Sequence, residues 1–447
     1  MEGKKETVYY FGLTFISKFI TYLLLLILAN YFYISEYGKA SFALAVFNII
    51  YFFMLIGLPD LFVPWFIHKK DVNSVFYFLV LLTGIFTVLG LAFTLIFYPW
   101  ILPLAISLPF LLVYLVGYSI FRIKKQYHLL KISDILFIFL VFISVFFLKS
   151  YGKFGITLGY SVAYILTSFF IFSLTRKEIF GLAKTFKLDF KAIFLYLKKG
   201  LSTALIILSY LFIGWIDTVI LGAMSTFDNV ARYNISSPIA NILTIVPLSL
   251  SMFLLTRISE VKKEKLSLSI FNRALRLSTS FSLLLGIGIL SLLNILLKIF
   301  FKQYMDIGIY VTLLMIGIFL FCIYTLIATY LSAKLTPEKT VLPITIAALL
   351  NIILDILLIP NYGLLGICIA TLIAHTVAFI LLLSKMKLLI KYFYIIPLSV
   401  LLLIAFYLGL YGLILIPIVI LSLFLFKLIN LEDLKVVKGV IFKILRI

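Results

Sequence analysis

"TRKEIFGLAKTFKLDFKAIFLYLKK", Thr175 to Lys199, is the longest polar interruption in a chain that is otherwise almost continuously apolar. It holds seven Lys or Arg residues against two acids. On both sides of it run apolar stretches of about 20 residues, each long enough as a helix to cross a hydrocarbon core of about 30 Å. Of 447 residues, 64% are hydrophobic and 12% charged, where a soluble domain carries about 25% charged residues. The chain is therefore expected to be an all-α integral membrane protein.

Counting apolar stretches between charged breaks gives about 14 spans. Six precede the Thr175–Lys199 segment: 8–33, 38–58, 74–97, 100–121, 133–149 and 154–174. Six follow it: 199–223, 230–255, 275–301, 307–333, 340–359 and 362–384. A last pair runs 393–408 and 412–426. The expected organisation is an N-lobe over 1–192, a C-lobe over 193–386, and a helix pair with a basic cytoplasmic tail over 387–447. The first apolar stretch is too long, and too poor in small residues at its end, to read as a cleavable signal peptide.

Charge tests the count. With Lys4 and Lys5 in the cytoplasm and the spans alternating, the inner segments include "HKK", "RIKKQYHLLK", the Thr175–Lys199 segment and "RISEVKKEKLSLSIFNRALR". Together with the shorter inner turns and the tail they hold about 31 of the 38 Lys and Arg, the asymmetry that the positive-inside rule demands. One missed helix would scramble it, so both termini are expected in the cytoplasm of a multi-pass cell-membrane protein. The net charge of +21 is then topological. The bases are scattered over short loops rather than gathered on one face, which argues against nucleic acid as a partner. Cys322 and Cys368 both lie in apolar stretches and offer neither a disulfide framework nor metal-ligand spacing.

The two sets of six open alike. "ISEYGKASFALAVFNII" and "TFDNVARYNISSPIANIL" each place an acid, a small residue and a base before a helix carrying Asn. Repeats of six spans insert in the same orientation, an arrangement that in transporters puts the site between the halves.

Three stretches carry a family resemblance. "SEYGKASFALAVFNIIYFFMLIGLPD", "WIDTVILG" with "DNVARYNISSPIANIL", and "AALLNIILDILLIPNYGLLGICIATLIA" resemble polysaccharide flippases of the multidrug/oligosaccharidyl-lipid/polysaccharide exporter superfamily. The resemblance covers about residues 1–384. It implies two six-helix lobes alternating between inward-open and outward-open states, and transfer of a polyprenyl-linked oligosaccharide from the inner to the outer leaflet. The partners then expected are that lipid-linked substrate and membrane lipids, with the chain working as a monomer beside glycosyltransferases or a glycan polymerase or ligase.

Polar groups at membrane depth are functional candidates, because lipid-facing ones are expensive. Lys18 in "FISKFITYLL" lies about 22 Å from the outer end of its expected helix, too deep to snorkel outward. It suits a phosphate or diphosphate headgroup, with Lys39 and Arg232 near the outer turns as further substrate-binding cations. A second set is Asp217, Asn351, Asp355 and Thr371. Asn351 and Asp355 are four apart and share a helix face. Counting from outer ends near Thr226, Pro360 and Asn361, Asp217 and Asn351 lie about 13 Å deep, Thr371 about 15 Å and Asp355 about 7 Å. Carboxylate, amide and hydroxyl oxygens suit a hard cation, and the Ile367 carbonyl joins them if its helix is distorted near Gly366. Sodium-coupled members of the lipid II flippase branch resemble this chain here, so sodium is the expected coupling ion. A proton, with His375 as partner one turn below Thr371, is the alternative. Asp134, following Ser133, is expected in the first turn of its helix.

A cation-coupled multidrug exporter of the same fold, with a different cargo, is the alternative; the last two helices and the basic inner loops favour the flippase. A membrane glycan polymerase or glycosyltransferase needs catalytic groups on substantial aqueous loops. The outer turns "YPW", "PNYG" and "YG" are too short to build them.

Overall fold

The computed structural model describes residues 20–25, 27–55, 72–124, 126–184, 188–198, 215–261, 263–334, 338–386 and 395–425, together with Ser17. Among them every regular element is helical and no strand occurs. Lipid offers no hydrogen bonds to a backbone, so a spanning chain must close its own, and helices do so within one segment. Nine helices among the described residues are long and apolar enough to cross a membrane. The chain falls into two compact units, Met1–Ala231 and Arg232–Ile447.

The first unit contains α1 (Ile34–Leu55), α2 (Val72–Phe97), α3 (Leu102–Ile123), α4 (Tyr127–Phe147), α5 (Gly152–Ala183) and α6 (Asp217–Met224). It also contains the start of α7 (Phe227–Asn241). Helix α5 is its hub and packs on α1, α3 and α4. Small and hydroxyl residues make that possible, because lipid supplies no hydrophobic drive between helices and close packing must supply the adhesion. A side chain at Gly117 of α3 would run into Ile171 of α5. A Cβ at Gly159 would stand 2.6 Å from Val145 of α4. Three hydroxyls on α5 donate to α3 and the turn before it: Thr157 to the Trp100 carbonyl at 2.7 Å, Ser161 to Pro103 at 2.5 Å and Ser168 to Phe110 at 2.7 Å.

Residues 217–231 join this unit through α1. A Cβ at Gly38 would collide with the Phe227 carbonyl, and one at Gly222 with the Phe42 ring. Phe42 meets Phe227 and Tyr98 edge-on, with centroids 5.8 and 5.2 Å away.

The second unit holds α8 (Ile245–Glu260), α9 (Glu264–Phe300), α10 (Gly308–Ala333), α11 (Glu338–Tyr362), α12 (Leu364–Lys385), α13 (Ile395–Leu408) and α14 (Leu415–Leu425). Its centre is α10, which is buried along most of its length and touches α8, α9, α12 and α13. The last pair is built into this unit. Gly286 receives Leu402, Gly308 receives Phe406, and Gly412 sits against Ser291 and Ala405.

Several helix ends differ from those expected. Helix α4 begins at Tyr127, so Asp134 lies two turns inside it rather than in its first turn. Helix α9 is 37 residues long, and the basic segment "RISEVKKEKLSLSIFNRALR" is helical up to Glu260 and again from Glu264. Hydropathy marks where lipid ends; a helix already nucleated propagates into water at little cost. The expected span 230–255 is interrupted by a 3-10 turn at Ile242–Thr244. Pro247, which has no N–H, cannot satisfy the Leu243 carbonyl, and that weakens the ladder there.

Candidate functional site

Helices α11 and α12 form a tight hairpin. Gly363 between them has φ +52°, a conformation that favours glycine. A Cβ at Gly366 would lie 2.7 Å from the Leu358 carbonyl group, so the two backbones touch. Helix α11 continues through Pro360 to Tyr362, beyond the expected end. This puts Asp355 and Thr371 level, each eight residues from the Gly363 turn. At 1.5 Å per residue Asp355 and Thr371 lie about 10 Å from their helix ends, and Asn351 about 16 Å.

Asn351 and Asp355 are fully buried, and Thr371 is nearly so. The Asn351 amide donates to Asp355 Oδ2 at 3.1 Å. Its own Oδ1 is buried and accepts no hydrogen bond among the described residues. A buried amide oxygen in that state is unusual, since nearly all such atoms are satisfied. The Thr371 hydroxyl donates to the Ile367 carbonyl at 2.9 Å. Helix α12 is continuous from Leu364 to Lys385 through Gly366. The Ile367 carbonyl is thus engaged by Thr371 within an intact helix.

One turn below Thr371, His375 is buried. Its Nδ1 lies 3.1 Å from the Tyr324 hydroxyl of α10, and the Phe321 ring stands 5.5 Å away. His375 Nε2 has no hydrogen-bond partner among the described residues.

Asp217 belongs to the first unit. It is fully buried, opens α6, and follows two residues in π-helical geometry, 215–216. Single π turns inside helices recur at functional sites because they redirect side chains.

The substrate-binding cations are placed as follows. Lys18 lies outside the described residues. Lys39, on α1, pairs with Glu36 at 3.5 Å and stands 6.0 Å above the Phe227 ring. Glu36 also accepts the Lys153 backbone N–H at 2.7 Å, which caps the start of α5. Arg232 pairs with Asp306 at 2.7 Å. Both cations are thus bound to acids of their own unit. Cys322 and Cys368 are buried and are not joined in a disulfide. The described residues contain no group of three or more His, Cys, Asp or Glu side chains able to hold a metal. Any ion at α11–α12 would rest on mixed amide, hydroxyl and carboxylate oxygens.

No protein-family model matches the chain. Its fold is that of the lipid II flippase MurJ in an inward-closed conformation, with a TM-score of 0.79 and 20% identity over 95% of this chain and all of that one. A multidrug-resistance MATE transporter of the MOP superfamily, in an inward-facing conformation, superposes with a TM-score of 0.66 and 14% identity, over 86% of this chain and 95% of its own. Among curated sequences, an uncharacterized membrane protein of Methanocaldococcus jannaschii is 27% identical over 416 residues, 84% of this chain and 96% of that one.

Proposed function

We propose that this chain is a flippase that moves a polyprenyl- or dolichyl-linked oligosaccharide, joined through phosphate or diphosphate, from the inner to the outer leaflet by alternating access. The observation that carries the reading is the extent of the fold likeness to a lipid II flippase, 95% of this chain and the whole of the other. In this reading the lobes run 1–192 and 193–386, the protein lies in the cell membrane with both termini inside, and it works as a monomer beside the enzymes that make or polymerise its glycan. No reaction is assigned to it; its work is transport.

Coupling to sodium is part of the proposal. Asn351, Asp355 and Thr371 supply hard oxygens on two adjoining helices, Asp355 and Thr371 level and Asn351 about one turn deeper, and Asp217 and the Ile367 carbonyl are the further ligands proposed. An ion can drive the conformational cycle only by binding the two states with different affinity. A proton carried by Asp217 or by the His375–Tyr324 pair is the competing coupling.

The cargo is tested in proteoliposomes loaded with a polyprenyl diphosphate that bears biotinylated N-acetylglucosamine. Flipping exposes the biotin to external avidin. Wild type should expose it faster under a sodium gradient, and Lys18→Ala should abolish this while its thermal stability stays unchanged. Export of ethidium with no movement of the lipid would identify a multidrug exporter instead.

A further inference from the structure

Five side chains of the first unit close a ring of contacts. Glu36 of α1 lies 3.5 Å from the Lys39 ammonium and 3.8 Å from that of Lys153 on α5. Lys39 stands 6.0 Å from the centre of the Phe227 ring at the start of α7. Lys153 stands 4.9 Å from that of Trp100, in the turn before α3. Phe227 and Trp100 then meet edge to face, with centroids 6.3 Å apart and planes at 88°. The path from Glu36 through Lys39, Phe227, Trp100 and Lys153 thus returns to Glu36, and it ties together four segments distant in sequence.

The carboxylate is the anchor. Its Oε2 accepts the Lys153 backbone N–H at 2.7 Å. Gly152, at φ +55°, permits that approach, since a Cβ there would stand 2.6 Å from the same oxygen. Each lysine is shared between the acid and an aromatic face, so one carboxylate sets both cations over their rings. Ion pairs and cation–π contacts of this kind are weak singly in water. The charged side chains keep 25–30% of their surface exposed, which puts the ring at the water boundary rather than in a core.

Phe227 comes from residues 217–231, which the sequence assigns to the second set of six spans; the other four members belong to the first set. Alternating access requires such sets to part at one end in each half-cycle. A joint suited to parting is made of contacts that are individually weak, reach water and re-form without repacking a core. Sharing one anchor adds cooperativity, because loss of Glu36 unseats both cations at once. We infer that Glu36, Lys39, Lys153, Trp100 and Phe227 form a clasp that holds the α6–α7 turn against α1 and the start of α5, and that releases it when the transporter opens to the outside. This rests on the alternating-access reading and on the topology proposed above, in which these turns face outward.

The test uses the full-length protein in liposomes, with spin labels at Ser150→Cys and Ala223→Cys, both exposed and outside the ring. The native cysteines are buried and stay in place. Double electron–electron resonance should show mainly one short separation in wild type. Glu36→Gln keeps the size of the side chain and an acceptor for the Lys153 N–H but removes the charge. It should raise the longer-distance population about two- to fivefold, the order of one exposed ion pair. Phe227→Leu breaks the opposite link and should do the same, and the double variant should do no more than either single, since a ring opened once is open. Lys39→Gln repeats the test at a part-exposed residue should Phe227→Leu fail to fold. Lower melting temperatures with unchanged distances, or additive shifts in the double variant, overturn the clasp. Impermeant maleimide separates the readings: a Ser150→Cys variant that reacts only after permeabilisation removes the topology, and the outer clasp with it. If the distances respond as stated while ethidium is exported and the glycolipid stays in place, the clasp stands and the flippase reading falls.

Discussion

Asn351 and Asp355 are joined across one turn of α11 by an amide-to-carboxylate hydrogen bond of 3.1 Å, and neither residue is exposed. The amide is thus committed as donor toward the acid, and its oxygen faces the other way. Removing it should leave Asp355 with one donor fewer in a buried setting, at a cost of about 1–3 kcal/mol. Asn351→Leu, similar in volume, should therefore lower the melting temperature of the purified protein. If Asn351→Leu melts with wild type, the pair contributes nothing to the folded state.

Sodium should raise the melting temperature of wild type in a saturable way, by an amount set by ion concentration over dissociation constant. Potassium at the same ionic strength should do much less. Asp217→Asn keeps the size and hydrogen-bonding capacity of the residue while removing one charge, and should flatten the sodium response. Equal stabilisation by both ions would rule out a sodium site. A response to pH alone that vanishes in Asp217→Asn would point to a proton carried by the same aspartate.

The contact between α1 and the start of α7 leaves no room for a side chain at Gly38, where an added methyl would meet the Phe227 carbonyl. Backbone cannot rotate aside as a side chain can. Gly38→Ala should cost about 1–3 kcal/mol, as overpacking generally does. Gly84 on α2 is the control, since nothing lies within 4 Å of a Cβ there. Gly84→Ala should be neutral or slightly stabilising, because Ala is the better helix former. Thermal melts of the two variants side by side decide it; an unperturbed Gly38→Ala would mean that the contact is loose.

By the positive-inside rule, the charge of Thr175–Lys199 predicts a cytoplasmic position for that segment. A cysteine at Lys187→Cys should therefore resist membrane-impermeant maleimide in intact cells and react fully after permeabilisation. Strong labelling of intact cells would reverse the topology.

The helical class was readable in the residues, because lipid admits one regular structure here and makes each charge within it conspicuous. The Asn351–Asp355 bond was readable too, since a spacing of four puts both side chains on one face whatever the rest of the fold does. Helix ends were less so. Hydropathy finds the lipid boundary, whereas α4 starts at Tyr127 and α9 at Glu264 because helices run on into water. That shift moved Asp134 from a helix start to the side of Tyr114. It took the tertiary structure to pair Arg232 with Asp306, across 74 positions, whereas Lys39 and Glu36, three apart on α1, are neighbours by helix spacing alone. The contacts among the aromatic residues of α1, α4 and α5 were likewise left to the tertiary structure. In one dimension each is an aromatic residue in an apolar helix, indistinguishable from those that face lipid. Which of them meet is decided only when small residues and hydroxyls on α5 draw the surrounding helices onto one centre, and no local pattern in any single helix encodes which rings that approach brings together.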